Sequence, residues 1–214
     1  MTRLLSLFIV LVSFGPSLAL SQSSQNLTSK YDHLFKANAR AYMPDFDWQW
    51  LKAQAIQESS LNPAAVSHAN ARGIMQVMPG TGKDLARQTG VSGSLFDPSL
   101  SIMYGSYYMR QMLHIWRARD RTSLEKLPWA QSSYNCGAGC VIRAQEKAND
   151  ARDWQDSAPF MPKETRDYPV LIRKHYNELI LQSVDIGRPT HTNKTRGNPI
   201  DRLIYPGDTP CGKP

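Results

Sequence analysis

No stretch of this chain alternates strictly between apolar and polar side chains over six residues with an enrichment in β-branched types, so a half-buried strand has nowhere to form. Apolar residues recur at helical spacing instead. The clearest case opens at Asp97-Pro98, where a proline suited to a first turn is followed by Leu100, Met103, Tyr104, Tyr107, Tyr108 and Leu113 on the way to Trp116. Another helix is expected from about Tyr31 to Tyr42, stopped by Pro44, and a second from Asp47 as N-cap through Glu58. Thr81 reads as the cap of a third that ends at Gly90, and further helical patterns cover about Trp129 to Ser133, Cys140 to Ala148 and Glu164 to Ser183. The expectation is a mainly α fold with one compact core, for which 214 residues suffice.

The two ends read differently from this middle. Met1-Thr2-Arg3, an apolar run from Leu4 to Phe14 and the small residues Ser17 and Ala19 have the layout of a secretory signal peptide over residues 1–19, cut near Ala19. The run falls short of the roughly 20 residues that span a bilayer, and no Cys lies near the cut, so no stable membrane or lipid anchor is expected. Residues 20–29, rich in Ser, Gln, Asn and Thr, read as a flexible leader. From Gly187 onward, Pro189, Pro199, Pro206, Pro210 and Pro214 alternate with Gly197, Gly207 and Gly212, a tail over 187–214 with no core of its own. Residues 30–186 are left for the folded domain.

Export places Cys136, Cys140 and Cys211 in an oxidising compartment, where one disulfide forms and one thiol is left over; the sequence does not choose the pair. Losing Arg3 with the signal peptide takes the formal net charge from +7 to +6. A basic surface suits an anionic polymer such as a cell wall. Because the basic residues are scattered, nucleic acid is not the expected partner. His33, His68, His114, His175 and His191 show no spaced ligand pair on one helix, so no metal is expected, and no cofactor either.

Trp48, Leu51, Ala55 and Glu58 share one face of the second helix, which places a carboxylate at the end of an apolar stripe. Burial there raises a carboxyl pKa, as a general acid needs near neutral pH. Taken alone, the spacing fits a solvated Glu at a helix rim better than a catalytic one.

The residues that follow are more specific. Gln57-Glu58-Ser59-Ser60-Leu61-Asn62-Pro63-Ala64-Ala65-Val66-Ser67, continuing through Ala71-Arg72-Gly73-Ile74-Met75-Gln76-Val77-Met78-Pro79-Gly80-Thr81, resembles the first signature of the soluble lytic transglycosylases, without a gap. Three more blocks follow in the family's order: Phe96-Asp97-Pro98 with Ile102, Gly105 and Tyr108; Ser132-Ser133-Tyr134-Asn135-Cys136-Gly137-Ala138-Gly139; and Pro162-Lys163-Glu164-Thr165-Arg166-Asp167-Tyr168. The resemblance covers about Trp48 to Tyr176 and implies a goose-type lysozyme-like fold with one catalytic domain. Three departures stand out. Asn70-Ala71 replaces the usual Gly-Ala, so the turn relies on an Asn in the left-handed region. Cys136 and Cys140 flank the Gly-rich loop where the family often has Ala and Arg, and Pro169 replaces a Val, a residue that fits a helix start but interrupts an interior.

The resemblance implies a role for each matched residue. Glu58 is the catalytic acid and base: it protonates the glycosidic oxygen, and its carboxylate then takes the proton of the muramic acid C6 hydroxyl, which closes on C1 as a 1,6-anhydro ring. Ser67 is expected to bond the acid or an N-acetyl group, or simply to form a turn, and Gln76 lines the cleft with a donor and an acceptor. Met75 and Met78 are expected in core and cleft wall, Tyr134 as a partner of the acid or substrate, and Asn135 as a sugar contact or loop-former. Glu164 is expected to pair with Arg166 or backbone, unless it is the second carboxylate of an inverting hydrolase, which would stand about 6.5–9.5 Å from the acid. Peptidoglycan glycan strands are the implied partner, in the periplasm or cell wall. A hydrolytic muramidase is one alternative and a non-catalytic wall-binding module another, and small domains of this kind resemble accessories of envelope-spanning secretion or conjugation machines.

Overall fold

A computed structural model describes residues 29–117 and 121–186. The expected signal peptide, nearly all of the leader, the Pro/Gly-rich tail and Cys211 lie outside the described residues. Eight α-helices are described: α1 (Asp32–Tyr42), α2 (Gln49–Ser59), α3 (Pro79–Thr89), α4 (Pro98–Ile115), α5 (Ser123–Cys136), α6 (Ala138–Lys147), α7 (Trp154–Ser157) and α8 (Lys163–Ile186), with a 3₁₀ turn at Ala158–Phe160. Among the described residues β structure is limited to isolated bridges pairing Arg72 with Val66 and Val77. The chain divides into two compact units, Met1–Ile180 and Leu181–Pro214.

α4 packs against α1 on one side and α5 on the other, and α5 in turn holds α6. Ile102, Tyr104 and Met109 of α4 are buried together with Phe35 of α1 and Leu127, Trp129 and Ala130 of α5. Gly105 is needed where α4 crosses the loop after α2, since a Cβ there would stand 2.7 Å from the Met75 side chain. Pro98 sits in the first turn of α4, as the sequence led us to expect, and Asp97 caps the helix by accepting from Leu100 N–H at 2.9 Å.

Several boundaries differ from the sequence reading. α2 was expected to bury one stripe, yet every residue from Gln49 to Ala55 is buried, so it runs through the core. Its buried cation, Lys52, is compensated by Asp32 at 2.7 Å. Asp47 still serves the start of α2, accepting from Gln49 N–H at 2.8 Å. α3 begins at Pro79 without a Thr81 cap, because proline at the first position has no N–H to satisfy.

α5 starts six residues earlier than Trp129 and runs through Pro128. Proline normally disrupts a helix interior. Here a capping box fixes the N-terminus, with Thr122 Oγ1 accepting from Glu125 N–H and Glu125 Oε2 accepting from Thr122 N–H, while Leu127, Trp129 and Ala130 are buried around the proline. α8 likewise continues through Pro169, held on both sides by buried Thr165, Tyr168 and Ile172. Packing outweighs one lost backbone bond in both helices. α7 and the 3₁₀ turn were not foreseen; they are too short for periodicity to register.

Candidate active site

Glu58 lies on the last turn of α2, where the helix leaves the core and its side chains become half-buried. The helix stops because Ser60 and Leu61 take left-handed conformations, with φ of 52° and 62°. Ser59 Oγ donates to Ile74 O at 2.8 Å and so ties the helix end to the loop that follows. That loop is shaped by Asn70 at φ 68°, the left-handed Asn expected from the sequence, and by Gly73 at φ 76°. A Cβ on Gly73 would sit 2.0 Å from Leu95 O, so only glycine fits.

The loop forms one wall of a cleft of about 490 Å³, with Ser67, Ala69, Ala71, Gln76 and Met78 among its lining. Tyr134 and Asn135 from the end of α5, and Glu164, Asp167, Tyr168 and Leu171 from α8, also line it, together with Gln57 and Glu58. Seven of the eight residues singled out from the sequence therefore meet in one place. Met75 does not: it is fully buried under α4, and its backbone contributes instead, the N–H donating to Ser101 Oγ at 3.1 Å. Ile74 beside it is fully buried as well, so this part of the loop packs into the core and Gln76 is the first of its side chains to reach the cleft.

Burial raises the Glu58 carboxyl from 4.5 to about 7; a hydrogen bond from Tyr168 pulls it down and the charge of Glu164 pushes it further up. The acid's partner is Tyr168, whose hydroxyl donates to Glu58 Oε1. The expected bond from Tyr134 is not made to the acid: its hydroxyl donates to Met75 O at 2.8 Å, which pins the cleft wall to the loop. Burial and the Glu58 charge hold both phenols well above their ordinary pKa, so they stay protonated donors. The motif alone assigns Tyr168 no role. Its spacing of four from Glu164 puts both on one face of α8, and that was the available signal.

The remaining residues take structural duties as well as lining the cleft. Ser67 Oγ accepts from Ala71 N–H at 3.0 Å, so it closes a turn and does not bond the carboxyl. Gln76 spends its amide nitrogen on Gly73 O at 2.9 Å and Ala65 O at 3.3 Å, so of the expected donor and acceptor its carbonyl oxygen is the one left for a ligand. Asn135 Oδ1 accepts from Thr165 Oγ1 at 2.7 Å, joining the α5 end to α8. Glu164 does not pair with Arg166, whose Nε lies 3.9 Å from Asp167. Cys136 and Cys140 form a disulfide across the Gly137 turn, directly after Tyr134 and Asn135.

The arrangement offers a carboxyl that can give and take a proton near neutral pH beside hydroxyl, amide and carbonyl groups suited to sugars. Comparisons with known proteins agree with it. Residues 35–157 match the Transglycosylase SLT domain. The chain is 33% identical over 162 residues to "Membrane-bound lytic murein transglycosylase F" of Vibrio cholerae, covering 65% of this chain and 29% of that protein. It is 35% identical over 120 residues to "Membrane-bound lytic murein transglycosylase C" of Salmonella typhimurium, covering 53% of this chain and 33% of that protein. The chain thus spans about a third or less of the length of these relatives. Among solved structures, lytic transglycosylase Slt from Pseudomonas aeruginosa superposes with a TM-score of 0.59 at 24% identity, covering 75% of this chain and 25% of that one. The 70 kDa soluble lytic transglycosylase of Escherichia coli gives 0.58 at 24%, covering 70% and 24%. These structures establish the lysozyme-like fold. The match over more than half of its length carries the assignment: the chain belongs to the Transglycosylase SLT domain family.

Proposed function

We propose that this chain is a peptidoglycan lytic transglycosylase that cleaves the bond between MurNAc and GlcNAc and leaves 1,6-anhydro-MurNAc ends. The observation that carries the reading is the Glu58 carboxyl, raised to about 7 at the cleft and hydrogen-bonded by Tyr168. A group with that pKa serves in both directions. Protonated, it delivers a proton to the glycosidic oxygen as the C1–O bond breaks. Ionised, it accepts the C6 hydroxyl proton as O6 bonds to C1, so its starting state returns without water entering the product. Gln76 offers an acceptor and Asn135 its side-chain amide donor to the sugars, and Met78, exposed on the loop wall, offers them an apolar face. The relatives' names, which place murein cleavage at a membrane, and the apolar run from Leu4 to Phe14 support an envelope location. The finer reading is that such an enzyme opens the wall locally for an envelope-spanning machine.

One observation favours a second reading: Glu164 and Asp167 line the same cleft. A water held by either carboxylate would make the enzyme a muramidase. The test is release of soluble fragments from purified walls. Under the first reading the parent chain releases them, Glu58→Gln does not and Glu164→Gln is only slowed; equal loss in both variants, with folding intact, favours the second.

A further inference from the structure

Gln57 lines the cleft beside Glu58, yet the chemistry above gives it no part. Its side chain is held from outside: Oε1 lies 3.3 Å from Nε2 of His175 on α8. His175 is absent from the cleft lining and stands one turn beyond Leu171, which belongs to it. The other ring nitrogen, Nδ1, lies 3.4 Å from Oε2 of Glu178. An amide carbonyl and an ionised carboxylate only accept, so the two bonds coexist when both ring nitrogens carry hydrogen. A ring in that state has nothing but a donor to offer Gln57. The amide oxygen therefore turns to His175, and the NH₂ end is left for whatever enters the cleft.

We propose that Gln57 binds the glycan by donating its amide N–H to an acetamido carbonyl of the strand, and that His175 is the positioning residue that holds it in that orientation. The ligand atom follows from what the cleft already supplies. Gln76 has its amide nitrogen engaged and offers an oxygen, which suits a substrate N–H or O–H. Gln57 is the reverse. An acetamido group presents an N–H and a C=O together, so a cleft for amino sugars needs both kinds of partner. Without His175 the Gln57 amide is free to turn round and present its oxygen to a carbonyl it cannot bond. The inference rests on the reading of the cleft as a glycan site, and its test is binding, not turnover.

The experiment titrates peptide-free glycan strands, freed from walls by an amidase, into the full chain carrying Glu58→Gln so that nothing is cut. Adding His175→Leu or Gln57→Met is expected to raise Kd about three- to tenfold, the loss of one neutral hydrogen bond. His175→Ala replaces the leucine variant should that fail to fold. His175→Arg donates and cannot accept, so Kd should stay within about twofold of the parent. The two losses should not add: His175→Leu with Gln57→Met binds as Gln57→Met alone, because His175 acts only through Gln57. Ring ¹⁵N spectra of the parent at mildly acidic pH should show hydrogen on both nitrogens of His175. Chitooligosaccharides, whose only carbonyls are acetamido groups, should reproduce the differences. Unchanged binding in His175→Leu, additive losses, an arginine variant as weak as the leucine one, or a bare Nε2 overturns the proposal. Differences seen with wall strands and absent with chitooligosaccharides overturn the choice of the acetamido group. If the parent binds neither probe, the glycan reading of the cleft falls and this inference with it, whereas equal binding by all variants overturns the inference alone.

Discussion

Tyr168, in the second turn of α8, donates its hydroxyl to Oε1 of Glu58, a residue 110 positions earlier in the chain. The bond favours the ionised carboxyl and so opposes the burial that raises it. Tyr168→Phe should therefore push the Glu58 midpoint above about 7, the value with the bond in place. Activity should fall roughly tenfold near neutral pH, since one hydrogen bond to a charged group is worth about 1.5–3 kcal/mol and part is regained by the higher acidity range. The pH profile of wall cleavage in the two proteins checks this; an unchanged or acid-shifted upper limb would contradict it.

Glu58→Gln should lose at least about a hundredfold in turnover, because an amide cannot give a proton. The same change should stabilise the fold at alkaline pH. The folded chain holds the Glu58 proton up to about pH 7, whereas the ordinary carboxyl value is 4.5, so the unfolded chain releases it sooner. Stability present at low pH is lost between those values as pH rises, by an amount on the order of 3 kcal/mol. The amide does not titrate. Thermal melts should thus coincide for parent and variant near pH 4 and draw apart up to about pH 7, with the variant higher; in the parent, cleavage should decline as pH rises through about 7.

How much of this was visible beforehand depends on the range of the interaction concerned. Helix α4 opening at Asp97-Pro98, the left-handed Asn70, and the gathering of Glu58, Ser67, Gln76, Met78, Tyr134, Asn135 and Glu164 were legible, because local spacing and an ungapped motif carry them. Partner choice was not. Whether Tyr134 or Tyr168 reaches the acid depends on how α5 and α8 approach α2, and no local signal encodes that approach. The same limit explains the helices that run through Pro128 and Pro169, where burial on both sides overrides a local rule. Cys136–Cys140 was one of three open pairings, and only the geometry of the Gly137 turn, with Cα atoms 5.9 Å apart, selects it.

The loop that walls the cleft depends on one glycine. Gly73→Ala brings a Cβ against Leu95 O and forces a positive φ on alanine, so it should destabilise by roughly 2–4 kcal/mol. Gly80, helical and with open space around its Cβ position, makes the control: alanine there should be neutral or stabilise by up to about 0.5 kcal/mol. Denaturant midpoints of the two variants decide the matter, and equal effects would mean the loop has another conformation.

Closing a five-residue loop, the Cys136–Cys140 disulfide should contribute about 2 kcal/mol. Because it immediately follows Tyr134 and Asn135, reduction by a dithiol or replacement of both cysteines by serine should weaken glycan binding more than it slows chemistry. Steady-state kinetics on soluble glycan fragments should show KM rising several-fold with kcat nearly constant. A fall in kcat alone would place the disulfide's influence elsewhere.

The central claim is that Glu58 serves both proton transfers and that the attacking oxygen comes from the substrate. Purified walls digested by the mature chain in ¹⁸O-labelled water, with the released muropeptides weighed by mass spectrometry, test it most directly. The account predicts 1,6-anhydro ends that carry no label and lie one water below the reducing form. Reducing ends that carry a single ¹⁸O would contradict it and identify a hydrolase.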